Sequence, residues 1–69
     1  MSGGVTMQDQ LDIRLLRLPA VEARTGLTKD SIYLGVRRGE FPKPVRVGKR
    51  RVAWRSDELE RWIQERPRA

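Results

Sequence analysis

Residues 27–54 constrain the fold of this chain most, because they combine a short capped helix with a hairpin that comes next in the chain after a short proline-containing connection. Thr28 is placed to cap the helix, since its hydroxyl can accept a hydrogen bond from a free N–H of the first turn. Gly39 supplies the stop, and the two arginines before it suit the negative C-terminal end of the helix dipole. We therefore predict a helix over residues 28–38.

A second short helix is predicted just before it, over residues 19–25. Pro19 suits the first helical turn, because its missing N–H would have no partner there. Gly26 can adopt the left-handed conformation that ends many helices. Only Gly26 and Leu27 separate the two helices. A tight glycine-containing turn between two short helices is typical of a helix-turn-helix.

The helix over residues 28–38 has two different faces at about 100° per residue. Ile32 and Val36 share the inner face, and Lys29 and Tyr33 flank it. The outward positions are Asp30, Ser31, Leu34, Arg37 and Arg38. Gly35 costs about 1 kcal/mol relative to alanine inside a helix. Either packing is tight at Gly35, or the helix is weak.

Two prolines exclude regular helix from residues 41–44, and Phe41 is expected to fill the core at this corner. A hairpin follows, in which alternation predicts an inward set (Val45, Val47, Val52 and Trp54) and an outward set (Arg46, Arg51 and Ala53). Pairing Val47 with Val52 and Val45 with Trp54 leaves residues 48–51 as a four-residue loop, a common hairpin length. This loop carries Lys49, Arg50 and Arg51.

A last helix is predicted over residues 57–66, with Ser56 as its cap. Its apolar stripe consists of Leu59, Trp62 and Ile63. Residues 1–14 are predicted to be a flexible tail, residues 15–66 one domain, and residues 67–69 a C-terminal tail. The predicted fold class is α+β and mainly helical: two short N-terminal helices, a β-hairpin wing and a C-terminal helix.

Positive charge is concentrated in the middle of the chain. The net charge is +6, yet residues 28–55 alone hold nine basic and two acidic residues, which makes that segment +7. An even basic coat would indicate only solubility. A charge confined to one helix and one hairpin indicates a binding face for a polyanion.

Several classes of function are excluded or disfavoured by what the sequence lacks. The 69 residues allow one domain at most, and no cysteine or histidine is present for a disulfide or a Cys/His zinc site. No nucleophile–base pair or phosphate-cradling glycine loop is visible, so we expect no enzyme activity and no cofactor. Asp57, Glu58 and Glu60 are explained by their place in the first turns of a helix. Without a membrane span or a signal peptide, we expect a cytoplasmic protein.

Some residues allow more than one interpretation. The second helix could simply pack in a small α+β domain, and residues 49–51 could be a solvated loop. Tyr33 could pack at the edge of the core or bind a phosphate through its phenol. Trp54 and Trp62 are interpreted as core residues. Leu34 could touch a thymine methyl, contact a second protomer, or be one of the exposed leucines that are normal in soluble proteins.

The chain resembles the AlpA family of small phage and prophage regulators, which is related to the excisionases and to the MerR-type winged helix-turn-helix. The motifs that carry the resemblance cover about residues 15–66 and include LLRLPAV (15–21), RTGLT (24–28), SIY (31–33), RGEFPKPV (38–45), WRSDEL (54–59) and WI (62–63). The resemblance implies that residues 28–38 read the major groove and that the wing, residues 48–51, lies on the backbone or in the minor groove. The family often has a basic or polar residue after the Ile-Tyr pair and a bulkier residue next, where this chain has Leu34 and Gly35.

Our first hypothesis is therefore a sequence-specific regulator that binds double-stranded DNA. The expected major-groove residues are Lys29, Ser31, Leu34 and Arg37. The expected backbone contacts are Thr28, Tyr33, Arg38 and Arg46, with Lys49, Arg50 and Arg51 in the wing. One alternative is an excisionase-type factor that bends DNA for an integrase. Another is a module that binds an acidic protein.

The candidate protein partners are an integrase, RNA polymerase and further copies of the chain. No long heptad helix predicts an intrinsic dimer, so monomers side by side on DNA are expected. The target sequence and the sign of regulation do not follow from the sequence.

Overall fold

The computed structural model describes residues 12–69 and contains three helices and one three-stranded antiparallel sheet. In chain order the elements are β1 (Leu15–Leu16), α1 (Leu18–Thr25), α2 (Lys29–Arg38), β2 (Val45–Arg46), β3 (Val52–Arg55) and α3 (Ser56–Gln64). The sheet order is β1-β3-β2, so the longest strand is central. This architecture is a small α+β fold consistent with the predicted winged helix-turn-helix. Most of the predicted tail, residues 1–11, lies outside the described residues.

The turn between α1 and α2 has the predicted local structure. Gly26 ends α1 with φ 76° and its N–H donates to the Glu22 carbonyl. The Thr28 hydroxyl accepts a 3.2 Å hydrogen bond from the Ser31 N–H and so caps α2. Gly39 ends α2 with φ 73°. Both glycines adopt the left-handed region, in which a side chain would be strained.

The core takes one buried apolar residue from each helix, one from β3 and one from the segment that follows α2. Its buried members are Val21, Ile32, Phe41, Trp54 and Leu59. Around them pack the half-buried residues Leu16, Leu18, Leu27, Tyr33, Val36, Val52, Trp62 and Ile63. The predicted inner face of α2, the stripe of α3 and the placement of Phe41 are thus confirmed.

The predicted hairpin register is wrong by one residue. Val45 pairs with Ala53 and Arg46 with Val52, and the Val47 N–H donates to the Arg51 carbonyl at 2.9 Å. The loop is therefore residues 48–50, one residue shorter than predicted. A one-residue slip exchanges the two faces of a strand.

The slip changes which hairpin residues are buried. Val47 is 41% exposed, and neither it nor Val45 packs against the core. Ala53, predicted to face outward, is fully buried. It is small and lies on the central strand, with a neighbouring strand on each side.

The N-terminal strand β1 was not predicted, and its presence changes the role of Ser56. Leu15 pairs with Arg55 and Leu16 with Trp54. Ser56 is the first residue of α3, not its cap. Its hydroxyl accepts from the Arg14 N–H at 2.8 Å, and its own N–H donates to the Arg14 carbonyl at 2.8 Å. Ser56 therefore extends the β1–β3 pairing, and α3 ends at Gln64, two residues earlier than predicted.

Candidate nucleic-acid interface

Helix α2 presents a polar and basic face to solvent. Its inner side is held by Ile32, which is fully buried, and by Val36, which packs against the core. Because this side is fixed, the opposite side must face outward. The exposed residues of α2 are Lys29, Asp30, Ser31, Leu34, Arg37 and Arg38. Ser31, Leu34 and Arg37 share the outward face, whereas Lys29 lies nearer its border with the buried face.

Tyr33 lies at the edge of the core and is half-buried. Its ring centroid is 5.9 Å from that of Trp54, with the planes tilted by 59°. Packing therefore fixes the position of the ring. A ring that packs at an edge in this way can still direct its hydroxyl to a phosphate.

The wing is basic and exposed, and a side chain of the preceding strand stabilises its shape. Lys49, Arg50 and Arg51 are all exposed. The Arg46 guanidinium donates from Nη1 to the Lys49 carbonyl at 2.8 Å, so Arg46 supports the loop from the preceding strand. Gly48 lies beside Arg51: a Cβ added at Gly48 would meet the Arg51 side chain at 3.6 Å. Arg51 occupies the paired position at the base of the loop, and Lys49 and Arg50 form its tip.

The ion pairs lie away from these cations. Those among residues 12–69 join Arg14 to Asp12, Arg24 to Glu60 and Arg55 to Asp57. None of the three involves a cation of α2 or of the wing. These cations are therefore available to neutralise phosphates, which is the source of salt-dependent affinity for DNA.

Two of the three ion pairs in this part of the chain involve α3. Arg24 donates to both carboxylate oxygens of Glu60, at 2.7 and 2.6 Å, and so joins α1 to α3. The hydrogen bond to Glu60, followed by the charge of Glu60, raises the pKa of Arg24. Arg55 donates to both oxygens of Asp57 at 3.0 and 2.9 Å, and this hydrogen bond lowers the pKa of Asp57.

The segment between α2 and the hairpin, residues 39–44, is held by contacts that the sequence analysis missed. The Trp54 indole N–H donates to the Pro42 carbonyl at 2.8 Å, and the Trp62 indole N–H donates to the Glu40 carbonyl at 2.8 Å. Between them, the Phe41 ring lies 4.7 Å from the Trp62 ring and 6.5 Å from the Trp54 ring. The two tryptophans thus fix the connection between α2 and the wing as well as filling the core.

The two indole hydrogen bonds could have been anticipated in part from a general rule. A buried tryptophan needs an acceptor for its N–H, and a segment with two prolines leaves carbonyls outside regular structure. The sequence could not say which carbonyl each indole would reach.

Neither a metal-binding cluster nor a membrane-spanning helix is present among the described residues. Among residues 12–69, no group of three or more His, Cys, Asp or Glu side chains is arranged to hold a metal ion. No helix in that part of the chain is long and apolar enough to cross a membrane.

Comparison with known proteins gives the chain a family. The model of the prophage CP4-57 regulatory protein (AlpA) family matches residues 14–67. The chain is 32% identical over 66 residues to the DNA-binding transcriptional activator AlpA of Escherichia coli (strain K12), over 87% of this chain and 94% of that protein. It is also 42% identical over 50 residues to uncharacterized protein ORF88 of Enterobacteria phage P4, over 72% of this chain but only 57% of the phage protein. Because the family match spans every helix and strand described above, the chain belongs to the AlpA family of prophage regulatory proteins.

Proposed function

We propose that this chain is a transcriptional regulator that binds double-stranded DNA, with α2 in the major groove and the wing on the backbone or in the minor groove. The observation that carries the proposal is the set of exposed cations on α2 and on the wing, none of which is used in an ion pair of residues 12–69. The family membership and the E. coli relative, which is named a DNA-binding transcriptional activator, support it. Such a protein would act in the cytoplasm.

The exposed face of α2 has suitable chemistry for reading bases. Lys29 and Arg37 are donors that match the O6 and N7 acceptors of guanine, and the Ser31 hydroxyl can donate or accept. Leu34 adds an apolar surface. We assign these four residues to the major groove.

The surrounding residues are suited to positioning the protein without specifying sequence. Thr28, Tyr33 and Arg38 are assigned to phosphates beside α2, and Arg46 to the backbone next to the wing. The wing residues Lys49, Arg50 and Arg51 are assigned to phosphates or to the minor groove. Phosphate contacts orient a protein on the duplex and carry no direct sequence information.

The wing assignment is tested by the salt dependence of DNA binding. Replacing Lys49, Arg50 and Arg51 by alanine should reduce the slope of log K against log salt by about three units, since each phosphate contributes about 0.9. The assay is fluorescence anisotropy with a random duplex between about 50 and 200 mM salt. The matched control replaces Arg17, Arg61 and Arg68 by alanine. These arginines are also exposed, so the control removes the same amount of charge from a different part of the surface.

The control variant should keep nearly the wild-type slope. Equal slopes for the wing variant and the wild type would contradict the wing assignment. No binding of duplex by wild-type protein at micromolar concentration and low salt would contradict the DNA-binding proposal and favour an acidic protein partner. A gel assay with the site permuted along a fragment separates a regulator from an excision factor, since a bend favours the latter.

A further inference from the structure

Leu34 is an apolar residue at the centre of the outward face of α2. It follows the fully buried Ile32 by two positions, which places it about 200° around the helix. Its side chain is 38% exposed and does not belong to the core. The exposed part of this leucine is therefore available for contact with a binding partner.

The immediate neighbours of Leu34 on the helix surface are all polar. The side chains three and four positions away are Asp30, Ser31, Arg37 and Arg38, and each is exposed. The other large apolar side chains that are exposed among residues 12–69 are Ile13, Leu15 and Val47, none of which lies on α2. Leu34 is thus the one large apolar side chain exposed on α2, and the helix surface around it lacks the contiguous apolar patch that a protein partner would bury.

The DNA major groove offers one apolar group of matching size. Of the groups that base pairs expose there, the C5-methyl of thymine is the apolar one, and the others are hydrogen-bond donors and acceptors. We infer that Leu34 is a specificity-determining residue that contacts a thymine methyl in the target site. This inference rests on the proposed function, since it requires α2 to lie in the major groove.

The inferred contact predicts a signature different from that of the cations. A leucine–methyl contact involves no counterion, so its loss leaves the salt slope unchanged. It should act at one thymine position, or at a few adjacent ones, and disappear when only the methyl is removed. Replacing thymine by uracil does this, because the two bases differ at C5 alone and pair identically with adenine.

The experiment begins with selection of bound sites from a random duplex pool. Each thymine of the selected site is then replaced, one at a time, by deoxyuridine, and Kd is measured with the wild type and with Leu34→Ala. Wild-type protein should bind about fourfold more weakly to the duplex that lacks the contacted methyl, the value expected for one buried methyl group. Leu34→Ala should bind the thymine and uracil duplexes equally, with the wild-type salt slope.

The matched control is Leu15→Ala, which removes the same atoms from an exposed leucine (55%) on β1. It should keep the wild-type ratio of the two Kd values. The inference is overturned if no uracil replacement weakens the wild type, or if Leu34→Ala keeps the wild-type ratio. Failure of the proposed function is distinguishable, because wild-type protein would then bind no duplex at any salt concentration.

Discussion

Replacing Gly35 by alanine tests whether the backbone of α2 packs directly against Phe41. A Cβ added at Gly35 would lie 3.0 Å from the Cβ of Phe41, closer than nearly all real contacts of this kind. Phe41 is only 5% exposed and packs against both tryptophan rings. The neighbouring Glu40 N–H donates to the Gly35 carbonyl at 2.8 Å, so the backbone of Phe41 is held as well.

Two opposing effects determine how much the Gly35→Ala replacement changes the free energy of unfolding. Alanine gains about 1 kcal/mol over glycine in a helix interior. Forcing an extra methyl group into a packed contact costs about 1–3 kcal/mol. Because Phe41 is held on several sides, we expect the cost to lie near its upper end. The net loss should be about 1.5 kcal/mol, which for a domain of this size lowers Tm by roughly 6–12 °C.

The assay is urea unfolding followed by tryptophan fluorescence, since Trp54 is fully buried and reports the core. Arg37→Ala is the control, because it introduces alanine at an exposed position of the same helix and should change stability by less than about 0.5 kcal/mol. A Gly35→Ala variant that is more stable than wild type by about 1 kcal/mol would refute the reasoning. Phe41 would then yield to the methyl group, and only the helix propensity would remain.

Three further predictions follow from the register, the cap and the ion pairs. Val52→Ala should lower the free energy of unfolding in urea by about 1–2 kcal/mol, because Val52 packs on the core. Val47→Ala should lower it by less than about 0.5 kcal/mol, and equal losses for the two variants would contradict the register. Thr28→Ala should cost about 1 kcal/mol through loss of the cap, and an unchanged midpoint would contradict the cap. NMR titration should find the Asp57 pKa below its ordinary value and should find it raised toward that value in Arg55→Ala, because the hydrogen bond from Arg55 is the largest cause of the lowering. Since the folded pKa is lowered, this carboxylate stabilises the fold above its ordinary pKa, and that contribution is lost as pH falls through the lowered value.

The limits of α1 and α2 were predictable to within one residue because the signals that set them are local. A cap at Thr28 and left-handed glycines at positions 26 and 39 act within a few residues, so the sequence contains them directly. The buried face of α2 also follows from periodicity alone. The exposed residues of α2 in the candidate interface were predictable for the same reason, since the side of a helix on which a residue lies follows from its spacing relative to a buried neighbour.

The hairpin shows why other features were not predictable. Alternation is equally regular in two registers that differ by one residue, and valines at positions 45, 47 and 52 fit both. The choice depended on the loop length and on a third strand, β1, which places Trp54 and Ala53 in the centre of the sheet. A two-residue strand is too short to have a period, so it could not be recognised in advance.

The sequence by itself determined the family, the boundaries of α1 and α2, and the concentration of positive charge in residues 28–55, because each depends on residue types at short spacings. Only the tertiary structure decided the strand register, the pairing of Arg14 with Ser56, and the bonds from Trp54 and Trp62 to the segment after α2. It also decided that the glycine at position 35 meets Phe41. These contacts join residues of different elements, and local periodicity carries no information about which elements meet.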